Sequence, residues 1–237
     1  MTDIYLAFSA SGESRATLAK LQERTDINVL VSFVYLDKWD NLEAKPVPAK
    51  TILDSGAYSA WKSGATIDID KLIEETKQSR WNESVSLDVI GDVESSLKNA
   101  LYMKKRGSPA YPVFHYGEPW KILAKYCGAF PKVGLSCRFG ETVTDSLCWL
   151  DQCFARAWPH KFHSFGWVKR DMLERFPFHS ADTASWNNRP CAFGRWAYCG
   201  KLLSVYGQKD LRAEVDFYLK LQRDLQQRWK RELDKLN

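Results

Sequence analysis

Four residues stand where short runs suited to β-strands end. Asp54 falls at the end of "TILDS" (51–55), Asp88 at the end of "SVSLDV" (84–89), His115 in "YPVFHY" (111–116) and Asp182 in "FHSADT" (178–183). A carboxylate can serve as a nucleophile or as a general acid and base, and a histidine can pass or orient a proton. Each residue alone has a plainer account. Asp54 before Ser55 and Gly56 fits a turn cap, a lone His115 fits a satisfied core position, and Asp182 fits a cap on the segment that follows. His163 and His179 read as structural, and Asp92 as an N-cap. Asp88 within an apolar run needs a partner or a ligand, because an unpaired buried carboxylate is costly. The signal is that these groups recur at equivalent places on successive strands.

The elements that must position them form a regular series. Strand-like runs occupy 4–8, 28–36, 51–55, 84–89, 111–116, 132–137, 161–167 and 178–183. Several are nearly continuous apolar stretches, as parallel strands covered on both faces require. Helix-like segments lie between them at 13–25, 68–80, 92–107, 118–128, 142–158 and 168–176, while 37–50 shows no convincing helix. Alternation of eight strands with helices predicts an α/β fold, a (β/α)8 TIM barrel. An open doubly wound sheet is the competitor, since periodicity does not show closure. A single domain over 1–237 is expected, with 187–237 as a C-terminal helical extension. In that extension Leu211, Val215, Tyr218, Leu225, Trp229, Leu233 and Leu236 recur at amphipathic spacing. In a parallel barrel the loops after the strands converge on one mouth, so Asp54, Asp88, His115 and Asp182 would meet there.

Composition narrows the class further. With 45% apolar and 27% charged residues the chain is neither a disordered nor a membrane protein. Its first residues carry no basic-then-apolar leader, so a cytoplasmic location is expected. The six cysteines are scattered with no C-x-x-C pair, which argues against a zinc site or a disulfide framework. No metal and no cofactor are expected. A net charge of +5 permits a polyanionic partner without requiring one. Arg189 and Arg195, among Trp186, Phe193 and Trp196, suit either a nucleic-acid groove or ordinary packing.

Six short stretches taken together carry a resemblance. "DSGAYS" (54–59), "SLDV" (86–89), "PVFHYGE" (112–118), "VGLSCRFGE" (133–141), "HSFGW" (163–167) and "SADTASW" (180–186) resemble, in order, motifs of the tRNA-guanine transglycosylase family. These are (β/α)8 enzymes that exchange guanine for a 7-deazaguanine. The resemblance implies Asp182 as the nucleophile on the anomeric carbon, and Asp54 as general acid and base or as a group that holds the base and sugar near it. It implies Tyr58 and Phe165 on the faces of the purine, and Asp88 accepting from the guanine amino and ring N–H groups. Ser55, Gly56 and Gly166 would border the base. His115 would replace a family glutamine, and Gly134, Leu135 and Ser136 would offer backbone groups to the base edge.

The chain departs from the tRNA enzymes in its length and in having no C-x-C-x-x-C zinc subdomain. It is in this respect similar to short phage and bacterial proteins that insert 7-deazaguanines into DNA. The resemblance therefore implies DNA as the partner polymer, with tRNA as the alternative, free guanine or 7-deazaguanine as the second substrate, and a homodimer as the family's common state. Base hydrolysis by an N-glycosidase or nucleosidase, and an inactive nucleic-acid-binding barrel, are the other readings.

Overall fold

The computed structural model of the chain describes residues 2–8, 18–19, 21–137, 142–186, 196–203 and 210–235. Eight parallel strands form one sheet: β1 (Asp3–Phe8), β2 (Asn28–Ser32), β3 (Lys50–Asp54), β4 (Glu83–Ser84), β5 (Val113–His115), β6 (Lys132–Ser136), β7 (Lys161–Ser164) and β8 (Ser180–Thr183). Their order is β4-β3-β2-β1-β8-β7-β6-β5. The two ends of that order meet. Val85 bridges in parallel to Tyr111. The Tyr111 N–H donates to the Ser84 carbonyl at 3.0 Å and the Ser86 N–H to the Tyr111 carbonyl at 2.9 Å. The sheet curls on itself as an α/β TIM barrel, as expected.

Side chains along a strand alternate between its two faces. Ile4, Leu6 and Phe8 of β1, with Val29, Val31 and Leu53, pack outward beneath the helices in the main apolar core. The alternate residues Tyr5, Leu30, Ile52, Val85, Tyr111 and Val113 form a separate cluster inside the ring. The same parity makes Asp54, Gly134, Ser136, His163, Ser180 and Asp182 inward positions. This alternation turns residues distant in sequence into one axial column.

Four of the described helices begin where a side chain satisfies free N–H groups of the first turn. Asp68 caps α3 (Ile69–Thr76), Asp92 caps α4 (Val93–Lys105), and Thr142 caps α6 (Val143–Ala157). The other helices of this layer are α1 (Leu36–Asp40), α2 (Ala57–Ser63), α5 (Trp120–Ala129) and α7 (Arg170–Arg175). The last helix, α8 (Leu211–Asp234), is capped by Asp210.

Three expectations are corrected. The second strand stops at Ser32 and runs into a 3-10 turn (Phe33–Tyr35) and then α1, where no helix was expected. The buried Trp39 anchors α1 by an edge contact on Phe8, with ring centroids 5.4 Å apart. The fourth strand shortens to two residues, and Val85 just beyond it bonds to both sides, donating its N–H to the Leu53 carbonyl at 2.9 Å and bridging to Tyr111. Within 187–237 an antiparallel hairpin, β9 (Trp196–Tyr198) with β10 (Lys201–Leu203), precedes the helix. The amphipathic helix expected in that region is present as α8, and it covers the barrel wall. The Ile4 N–H and Asn28 Nδ2 donate to its Gln222 Oε1 at 2.7 and 3.0 Å, and its Trp229 Nε1 donates to the Leu173 carbonyl at 2.9 Å. Its Lys220, Arg223, Arg228, Lys230 and Arg231 are exposed. Of the helix expected at 13–25, the described residues show helix only at 18–19 and a turn at 21–23; the rest of it, with Cys191, Arg189, Phe193, Arg195 and Leu236, lies outside the described residues. Among the described residues no helix is long and apolar enough to cross a membrane.

Candidate active site

Asp54 ends β3 at the mouth of the barrel. The Gly56 N–H donates to its Oδ2 at 3.0 Å, and the buried Ser55 hydroxyl accepts from the Ala57 N–H at 3.4 Å. Gly56 has φ +80°, and a Cβ there would lie 2.6 Å from Val34 Cγ2 and 2.8 Å from Ser32 Oγ. Only glycine fits that turn. Asp54 is thus a turn cap and a mouth residue at once. Burial pushes its carboxyl up to about 7, with the charges of Asp88 and then Asp182 adding to the effect and the Gly56 amide opposing it.

Asp182, on β8, is 7% exposed. Its Oδ1 accepts from the Gly166 N–H at 3.0 Å and meets His163 Nε2 at 3.2 Å. Burial raises this carboxyl to about 7 as well, against the pull of the Gly166 amide. Two carboxyls poised near neutrality at one mouth are what general acid–base chemistry at pH 7 requires.

A second polar pair borders them. Asp88 Oδ2 lies 2.9 Å from His115 Nε2, and the His115 N–H donates to Glu118 Oε2 at 3.1 Å. Burial lowers the His115 imidazole, but the bond and charge of Asp88 outweigh it and leave the net shift upward. Burial raises the Glu118 carboxyl. Asp88, four residues past the end of β4, thereby has the partner its apolar run demanded, and His115 is not a plain core histidine. Glu118 was not singled out from sequence, although "HYGE" places it three residues past His115.

Phe165 closes the centre of the mouth. Its ring meets the His163 ring edge-on at a centroid distance of 4.5 Å and lies over Gly134. A Cβ at Gly134 would sit 2.3 Å from Phe165 Cε2, inside any tolerable contact. Gly134 therefore makes room for the ring. The Gly134→Ala variant should lose about 1–3 kcal/mol in urea unfolding, the usual cost of overpacking. Adding Phe165→Leu should recover most of that loss; no recovery would mean that the ring is not what the methyl group meets.

The remaining expected residues are placed as follows. Tyr58 is 44% exposed on α2, with its ring 6.0 Å from that of Trp61. Leu135 is buried in the outer core. The Gly134 N–H donates to the Pro112 carbonyl at 2.8 Å, the Leu135 carbonyl accepts from the Phe165 N–H at 3.0 Å, and the Ser136 carbonyl accepts from the Tyr116 N–H at 3.0 Å. These backbone groups are engaged within the protein. The Gly166 N–H likewise serves Asp182. Among the described residues no three His, Cys, Asp or Glu side chains are grouped to hold a metal ion.

Sequence reading took His163 as structural and passed over Ser180 and Lys132. His163 is fully buried against Asp182, and Ser180 and Lys132 continue inward from it. The available signal was parity: Ser180 precedes Asp182, and His163 precedes Phe165, by two residues on their strands.

Comparison with protein-family models and with curated protein sequences finds no match. Among solved structures, two mutants of the tryptophan synthase alpha-subunit from the hyperthermophile Pyrococcus furiosus are similar. One has a TM-score of 0.50 at 11% identity, covering 96% of this chain and 95% of that chain. The other has a TM-score of 0.51 at 12% identity, covering 94% and 96%. Such likeness defines the class of fold, a TIM barrel, and the chemistry must be argued from the site.

Proposed function

We propose that the chain is a base-exchange transglycosylase that replaces guanine in DNA with a 7-deazaguanine through a covalent aspartyl–sugar intermediate. The observation that carries this reading is the pair Asp54 and Asp182, both at the barrel mouth with carboxyls raised to about 7. Asp182 Oδ1 is held by the Gly166 amide and His163, which leaves Oδ2 to attack the anomeric carbon. Neutral Asp54 gives its proton to the departing guanine. The sugar is then held as an aspartyl ester while the base is exchanged, so one hard displacement becomes two easier ones. The incoming base returns a proton to Asp54 as it attacks the sugar and frees Asp182. The Asp88–His115 pair offers carboxylate oxygen to guanine-type donors, and Phe165 offers an aromatic face to a base drawn from its stack.

The rate should be bell-shaped in pH around neutrality, because Asp182 must be ionised while Asp54 is protonated. The two apparent values belong to the pair, not to either residue. The direct test supplies radiolabelled guanine with double-stranded DNA, single-stranded DNA or unmodified tRNA, for wild type and Asp182→Asn. Label entering DNA, and lost in the variant, is the expected result. Label in tRNA alone would replace the polymer. Release of base without incorporation would replace exchange by hydrolysis.

A further inference from the structure

Four polar side chains run down the inside of the barrel from its mouth. Asp182 Oδ1 meets His163 Nε2 at 3.2 Å, His163 Nδ1 meets Ser180 Oγ at 2.7 Å, and Ser180 Oγ meets Lys132 Nζ at 2.7 Å. Lys132 then pairs with Glu83 near the opposite end. The strands dictate this column: Gly134 of β6 is level with His163 of β7, and His163 is level with Ser180 of β8. His163 and Ser180 are both wholly buried, and Lys132 is 5% exposed.

From this arrangement we infer that Lys132, Ser180 and His163 form a directional hydrogen-bond relay that fixes the His163 tautomer and positions the Asp182 carboxylate for attack. The direction follows from donor counting. A lysine ammonium only donates, so Ser180 Oγ must accept from Lys132. The Ser180 hydroxyl has one proton, and His163 Nδ1 lies within reach to accept it. Nδ1 is then an acceptor, so the proton of the neutral ring sits on Nε2 and is donated to Asp182 Oδ1. The reverse tautomer would leave the Ser180 proton without a described acceptor and turn an imidazole lone pair toward the carboxylate. Burial, with the nearby Lys132 charge, holds the imidazole well below its ordinary range, in keeping with a neutral ring.

The relay differs from a structural network in its consequence. With both donors on Oδ1, the Asp182 carboxylate cannot turn freely, and Oδ2 is presented to the sugar in one orientation. His163 touches no substrate; it is a positioning residue. This role for Asp182 rests on the exchange reaction proposed above, whereas the tautomer does not.

The test is long-range ¹H–¹⁵N correlation on protein labelled at its four histidines, measured at pH 8. The His163 signals are assigned by their loss in His163→Gln. A neutral ring protonated on Nε2 is expected. Ser180→Ala should move the Nδ1 resonance toward a free acceptor. A ring protonated on Nδ1, a charged ring, or an Nδ1 signal unmoved by Ser180→Ala would overturn the relay. In exchange assays His163→Leu should lower kcat about 10- to 100-fold, as loss of an orienting partner does, with KM unchanged. His163→Gln, whose amide N–H can stand in for Nε2–H, should recover much of that loss. Equal kcat for wild type and folded His163→Leu would overturn the positioning role. The expected tautomer in a protein that exchanges no base would retain the relay and overturn the reaction instead.

Discussion

Asp182→Asn is expected to raise stability at pH 8 while abolishing the proposed base exchange. The reason lies in the direction of the shift. The folded-state carboxyl titrates at about 7, above the ordinary 3.8 of an unfolded chain. Between roughly these values the folded protein binds more protons than the unfolded one, so stability falls as pH rises. The penalty is absent below about pH 4 and fully present above about pH 7. Asparagine removes it, and its carbonyl oxygen can still accept from Gly166 and His163. A shift of about three units corresponds to about 4 kcal/mol as a ceiling, so a gain on the order of 1–3 kcal/mol is expected at pH 8. Urea unfolding at pH 4 and pH 8 separates the contributions. The gain should shrink toward zero at pH 4. Equal stabilities at pH 8 would mean that Asp182 is not held under such strain. Asp54→Asn should act in the same direction, because burial and the charges of Asp88 and Asp182 raise that carboxyl too. Carboxyls that cost stability at a barrel mouth fit the trade-off between stability and function that a catalytic site makes.

How much of this could be seen in the sequence depended on the range of the interactions. Asp92 as a helix cap was legible because the bond it accepts comes from Ser95, three residues on. Asp54 and Asp182 were legible because strand ends in a barrel share one address. The partner of Asp88 was demanded by its apolar run, but His115 as that partner required neighbouring strands to be in register. Gly134 shows the limit. Its backbone was expected to serve a ligand, whereas its lack of a side chain serves Phe165 on the adjacent strand. The His163 relay was hidden for the same reason. Lys132, His163 and Ser180 have no local pattern among them, and only sheet register brings them to one axis. The hairpin β9–β10 and helix α1 were hidden differently, being short elements whose local sequence carries too little periodicity.

The other large effect is expected at the far end of that axis. Glu83→Gln should cost about 3–5 kcal/mol, because it leaves the Lys132 ammonium buried without its counter-charge. Lys132 is 6% exposed at its side chain and lies over the Tyr111 ring at 4.7 Å. Burial alone would raise the Glu83 carboxyl, but the His179 bond and the Lys132 charge win and draw it down to about 2. A depressed carboxyl contributes stability above its unfolded value of 4.5 and loses it as pH falls toward 2. Urea unfolding across that window should show the loss in wild type and not in Glu83→Gln. The double variant Glu83→Gln, Lys132→Met removes both charges and should recover most of the stability, as paired replacement of buried ions does. It also removes the donor to Ser180. Stability and the proposed catalysis should therefore separate: the double variant should fold like wild type yet be slower in the proposed base exchange. If it recovers both, Lys132 serves only to balance Glu83. If it recovers stability alone, the barrel floor is coupled through Ser180 and His163 to the carboxylate at its mouth.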